Sequence, residues 1–339
     1  MQAKENIIEV NHSKNNYKEL SRKLLTKYLI VIIFLLMILT FSVLSPSFLS
    51  LLNIKSIFIQ TSMLSIISFG MTMVMMNGGV DLSIGSVAGL STIFGVTMMV
   101  YHNVSAFIGI LMGMGIGASI GLVNGILVAG FSVAPFVATL STMFIAQGLQ
   151  FSINHGESIG FGFPQGYINM GSSSYSFSGI PMPIFIFLIV MLIMIFLSEK
   201  TTFGRYVRAT GLNQYTTKYS GVRVRLLTMS VYIFSGVLAA LSGLILGASQ
   251  SYIQPNLGDS FLLDSLVVVL LGKASFGGYI SILGTVFGVI FLKSLETGLA
   301  MLGTPIMVMN ITKGSLLLAV LLISIYQKKL TLKKADNLE

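Results

Sequence analysis

Cysteine is absent from the 339 residues, so disulfides, thiolate metal sites and iron–sulfur clusters are excluded. Charge is scarce as well. Asp, Glu, Lys and Arg make up 9% of the chain, where an ordinary soluble domain carries about 25%. With 54% hydrophobic residues and a mean hydropathy of +0.88, that deficit marks a polytopic membrane protein. The three histidines, His12, His102 and His155, stand too far apart for metal-ligand spacing, and no metal site is expected. No Gly-x-x-x-x-Gly-Lys-Ser/Thr loop occurs, since the Gly272-Lys273 pair runs on into Ala274. The chain therefore has no P-loop of its own for ATP. His-Glu-x-x-His, Gly-x-Ser-x-Gly and paired catalytic carboxylates are missing too. No catalytic residue is assigned, and an enzyme is not expected.

What is present is a series of apolar runs. Ten candidate spans can be marked: 28–44, 54–76, 82–100, 104–128, 135–153, 182–197, 226–248, 261–271, 280–299 and 306–326. The expected fold is an all-α transmembrane bundle occupying 28–326, flanked by polar tails at 1–27 and 327–339. The first run is too long for a typical signal-peptide core and is read as a retained span. Sixteen of the 20 Lys and Arg fall in the N-terminal tail, the segment 199–225 and the C-terminal tail. Basic segments resist translocation, so all three are expected in the cytoplasm, and ten crossings satisfy that parity. The loop 155–181 holds no Lys or Arg and is expected outside, packed as an ordered cap. The run 261–271 is short for a straight span, but parity argues that it crosses. The net charge of +9 lies beside apolar spans, so it reports orientation and lipid-headgroup contact and not a nucleic-acid partner.

The segment 199–225 carries a short helix signature. Asn213 can cap a first turn, Gly221 can end the last, and Tyr215 and Tyr219 share a face. Two readings stand here: a helix offered to a soluble partner, or an ordinary positive-inside loop. Within the membrane the polar run Asn77-Gly-Gly-Val-Asp-Leu-Ser-Ile-Gly85 stands out. Gly78 and Gly79 break a helix, and Asp81 follows with Ser83 and Ser86. A lone carboxylate in the bilayer costs at least about 2.5–3.5 kcal/mol, so it needs a partner or a wet cavity. The run is either a pathway or gate element or a capped turn at the inner face. Asn124, Pro135 and Thr139 form a second polar set, read as interhelical hydrogen bonds or pathway lining. Lys293 can pair with Glu296, and Asp264 with Lys313. Gly109, Gly113, Gly117, Gly121 and Gly125 recur every four residues, and Gly243/Gly247 and Gly284/Gly288 repeat the pattern, which predicts close helix packing.

The run Gly78-Gly-Val-Asp-Leu-Ser-Ile-Gly-Ser86 resembles the permease family of ABC importers for ribose, xylose, arabinose and galactosides. The likeness continues in Val123-Asn-Gly-Ile-Leu-Val128, Ala134-Pro-Phe-Val-Ala-Thr-Leu140, Thr202-Phe-Gly-Arg-Tyr206, Ala209-Thr-Gly-Leu-Asn213 and Tyr219-Ser-Gly-Val222. It ends in Leu263-Asp264 and Lys313-Gly314. It covers nearly the whole chain from about residue 28. The chain departs from the family at Gly277-Gly-Tyr-Ile280 and at Lys273. The resemblance implies the membrane subunit of a binding-protein-dependent ABC importer in the bacterial cytoplasmic membrane. It would translocate a ribose-like pentose or related monosaccharide. Its implied partners are a cytoplasmic ABC ATPase, an extracytoplasmic sugar-binding protein, a second permease chain (identical or homologous) and membrane lipid. The chain would bind no cofactor itself, with ATP and Mg on the ATPase. The coupling helix implied by the resemblance draws on Gly204, Arg205, Gly211, Asn213, Tyr215, Tyr219 and Gly221. Pathway or gate candidates are Asn77, Gly78, Gly79, Asp81, Ser83, Asn124, Pro135 and Thr139. Alternative substrates are a quorum-signal sugar, a nucleoside or a branched-chain amino acid. A different class, an ion-coupled carrier, would use Asp81, Asp264, Glu296 and Lys313 as a relay.

Overall fold

The computed structural model describes residues 29–276 and 278–336. The expected N-terminal tail, 1–27, lies outside them, as do residues 337–339 of the C-terminal tail. The chain folds as helices α1 (Leu29–Leu44), α2 (Leu51–Met76), α3 (Ile84–Tyr101), α4 (Ala106–Gly125) and α5 (Pro135–Asn154). A short α6 (Gln165–Gly171) precedes the two-stranded ribbon β1 (Ser176–Phe177) and β2 (Ile180–Pro181). Next come α7 (Met182–Ile195), α8 (Thr202–Leu212), α9 (Gln214–Tyr219) and α10 (Val224–Gln250). The last three are α11 (Ser260–Ser275), α12 (Ile282–Met301) and α13 (Ile306–Asp336). Wider π-helical turns extend α4 through Ile126–Gly130 and α7 through Phe196–Lys200. Seven helices among the described residues are long and apolar enough to cross a membrane.

Local chemistry sets the helix starts. The Ser50 hydroxyl accepts from the Asn53 N–H at 3.3 Å, and the Ser281 hydroxyl accepts from Gly284 at 3.1 Å. Pro135 opens α5, where its missing N–H costs nothing.

α2, α3 and α10 form the centre. Within their apolar windows 78%, 78% and 72% of residues are buried, against 22–28% for α4, α5 and α7, which lie outside them. α4 packs on α3 and α10 through its glycines. A Cβ at Gly117 would strike the Gly236 carbonyl, one at Gly121 the Tyr232 carbonyl, and one at Gly125 the backbone of Met229. The four-residue spacing thus builds a backbone-to-backbone seam inside this chain. Gly288 meets Val268 in the same way, joining α12 to α11. α1 closes the far side of the bundle, its Phe34 ring resting 5.5 Å from Phe287 and 5.7 Å from Phe291.

The basic-free loop 155–181 is ordered structure at one end of the bundle. Tyr167 of α6 is fully buried, Gly171 touches the backbone of Ser249, and Ile159 pairs with Ile253 across an isolated bridge. The expected short span is longer than its apolar run. α11 has 16 residues, about 24 Å of helix, because Gly272 to Ser275 continue it. Gly272 does so by lying against the backbone of Gly284 in α12.

Candidate functional site

After α2 the chain turns at Gly78, whose φ of +87° is one that side chains resist. Asn77, at the turn, donates from Nδ2 to the Thr228 hydroxyl at 3.1 Å. The carboxylate of Asp81 then enters the bundle, 1% exposed. One of its oxygens accepts from the N–H of Ser83 at 3.0 Å and from the Ser83 hydroxyl at 2.6 Å. The other accepts from the Ser235 hydroxyl of α10 at 2.8 Å. Asn124 of α4 donates to the Ser83 hydroxyl at 2.9 Å and accepts from Thr142 of α5 at 2.7 Å. Thr139 accepts from the N–H of Leu82 at 3.1 Å while donating to the Pro135 carbonyl at 2.8 Å. The broken segment is therefore tied to α4, α5 and α10 by one buried network. Asp81, Ser83, Asn124 and Thr139 come together, and Pro135 and the Gly78–Gly79 turn flank them. Asp81→Ala leaves the Ser235 hydroxyl and the Ser83 N–H without their acceptor. A loss of about 1–3 kcal/mol is expected for it, read as a lower melting point in detergent, with Asp81→Asn intermediate.

The polar segment 199–225 lies at the end of the bundle opposite loop 155–181. Thr201 caps α8 by accepting from Gly204 at 3.3 Å, and Asn213 caps α9 by accepting from Thr216 at 3.1 Å. Gly221, with φ of +83°, turns the chain toward α10. Tyr215 and Tyr219 are 77% and 89% exposed, Arg205 is exposed, and Arg208 pairs with Glu199. A Cβ at Gly204 would strike the Ser198 carbonyl. A Cβ at Gly211 would strike the Met76 carbonyl at the end of α2. Gly211 therefore sets α8 directly on the backbone that leads into the Asp81 break.

A third cluster joins α11, α12 and α13. Lys293 donates to Asp264 at 3.3 Å and to Glu296 at 2.7 Å, and Lys313 donates to Asp264 at 2.9 Å and also pairs with Glu296. The two pairs expected from spacing are thus one closed ring with alternating charges. Lys293 also borders a cavity of about 770 Å³ between α2, α10, α11 and α12, near Ser173 and Ser174. None of the residues singled out as pathway or gate candidates lines that cavity.

Residues 53–325 match the family described as the branched-chain amino acid transport system / permease component. The chain belongs to this permease family. It is similar to the ribose import permease protein of Bacillus subtilis (strain 168), at 36% identity over 293 residues, 86% of this chain and 90% of that one. It is 34% identical to the ribose import permease protein of Escherichia coli (strain K12) over 299 residues, 86% of this chain and 92% of the other. The galactose/methyl galactoside import permease protein of Salmonella typhimurium (strain LT2) is 34% identical over 310 residues, 85% of this chain and 90% of that one. No solved structure matches.

This permease is a multi-pass membrane protein and a transport component. Sequence reasoning found Asp81 and its partner Ser83 but missed Ser235 and Thr142. Ser235 and Thr142 are single small polar residues in apolar helices, and nothing local to them signals a carboxylate or an amide nearby. Asp81 bonds Ser83 and Ser235, whereas Asp264, Glu296 and Lys313 pair with one another and with Lys293.

Proposed function

We propose that this permease is the membrane subunit of an ABC importer for a small neutral sugar of the ribose or galactose class. The observation that carries this is the likeness, across 85–86% of the chain, to permeases whose names state ribose and galactoside import. The Gly-Gly-Val-Asp-Leu-Ser run favours the sugar branch over the amino-acid branch that the family description names. In this reading the chain crosses ten times, with both termini and the α8–α9 segment in the cytoplasm and α11 crossing as a short helix. A cytoplasmic ATPase carrying ATP and Mg docks on α9, where Tyr215 and Tyr219 face outward, and a binding protein delivers sugar at the opposite face. A second permease chain completes the membrane unit. Asp81 and its partners act as the element that passes motion of α8, through Gly211, to α3, α4 and α5.

Co-purification from the native host in mild detergent tests the assembly. A P-loop ATPase is expected in comparable amount with the tagged wild type, and about tenfold less with Tyr215→Ala/Tyr219→Ala, because aromatic anchors dominate such contacts. Equal recovery with the double variant would move docking away from α9. Absence of any ATPase would remove the importer reading.

A further inference from the structure

We propose that the cavity between α2, α10, α11 and α12 is a low-affinity holding site for the transported neutral polyol. The inference rests on the sugar-import reading and gives it a location. The cavity holds about 770 Å³, within the roughly 300–1,000 Å³ of sites that take small molecules. Its polar lining comes from Ser56, Gln60, Ser249, Gln250 and Ser260, beside the apolar side chains of Met63 and Phe261. Amides and hydroxyls both donate and accept, which is what a ring of sugar hydroxyls demands, and the apolar walls suit its C–H faces. A charged ligand finds no matching counterion inside. No carboxylate lines the space, and Lys293 is already held by Asp264 and Glu296. Lys55, the other cation, stands exposed at the rim.

One further observation points to this space. Gln60 is exposed on α2, its amide bonded only to the Ser56 hydroxyl at 3.3 Å. An amide turned to lipid is costly, so this face of α2 is expected to lie away from lipid.

The natural absence of cysteine makes the test direct. Gln60→Cys, Ser249→Cys and Ser260→Cys are introduced singly into the full chain in its native host, with Leu192→Cys on the apolar face of α7 as the reference. Cells are exposed to the impermeant reagent 2-sulfonatoethyl methanethiosulfonate, with and without external ribose or galactose, and uptake of each radiolabelled sugar is measured. The three cavity positions are expected to react about tenfold faster than Leu192→Cys, to be slowed severalfold by the imported sugar, and to lose about tenfold of uptake once modified. Failure of the three to react faster than Leu192→Cys would overturn the site, as would modification without sugar protection or loss of uptake. Wild-type cells importing neither sugar would overturn the transport reading itself, a result separable from the labelling pattern.

Discussion

Asp264→Ala is expected to destabilise the permease by about 3–5 kcal/mol, the cost of breaking a buried ion pair from one side. Asp264 is the only carboxylate on α11 in the ring, and its side chain is 4% exposed. It holds Lys293 of α12 and Lys313 of α13 at once. Removing it leaves two ammonium groups sharing Glu296, an uncompensated positive charge among packed helices. α13 packs chiefly on α11, so its attachment should loosen first. A melting curve followed by size-exclusion chromatography in detergent measures the loss. The companion variant Asp264→Ala/Lys313→Met restores neutrality, leaving the Lys293–Glu296 pair, and is expected to recover at least half of the lost stability. The recovery is the coupling that a double-mutant cycle isolates. If Asp264→Ala melted within about 2 °C of the parent, the ring would contribute nothing measurable to the fold.

Gly117→Leu is expected to have a comparably large effect by a different route. There is no room for a Cβ between α4 and α10 at that position, because the Gly236 carbonyl already occupies it, and the converse holds at Gly236. Four more carbons must push the helices apart along the seam that also includes Gly121 and Gly125. Overpacking of this kind costs about 1–3 kcal/mol in well-packed cores, and the seam joins α4 to the buried centre of the molecule. The yield of monodisperse protein should fall steeply. Gly115 provides the control, since it lies in the same helix with nothing within 4 Å of where a Cβ would stand. Gly115→Leu should therefore express and melt like the parent. Equal behaviour of the two variants would show that helix propensity, and not the seam, governs α4.

Much of the architecture can be read from local chemistry. Runs of apolar residues mark the long helices because the bilayer imposes a minimum length on each. Asn213 and Gly221 mark the bounds of α9 because capping involves only neighbours in sequence. The charges of α11, α12 and α13 stand out because charge is so rare in such helices. Other features depend on contacts made across the chain. Ser235 lies 154 positions from Asp81, and Asn124 lies 41 from Ser83. Gly272–Ser275 look like a loop in isolation and are helical because they lie buried against α12. Gly211 reads as one more small residue until α8 is seen resting on the end of α2. The cavity is invisible to any motif, because its lining comes from four helices and two loops.

The seam between α4 and α10 has a mechanical meaning. Where backbone touches backbone there are no rotamers to rearrange, so the two helices have no soft coordinate along which to slide. With α2 and α3, which pack on them, they are expected to move as one body. α5 is mounted differently, through the side chains of Thr139 on Leu82, Thr142 on Asn124 of α4 and Gln150 on Ser86 of α3. Side chains can exchange hydrogen-bond partners at small cost, and backbones wedged against each other cannot. Alternating access in this permease is therefore expected to pivot at the α3–α5 contact, with the glycine seam carried through the cycle unchanged.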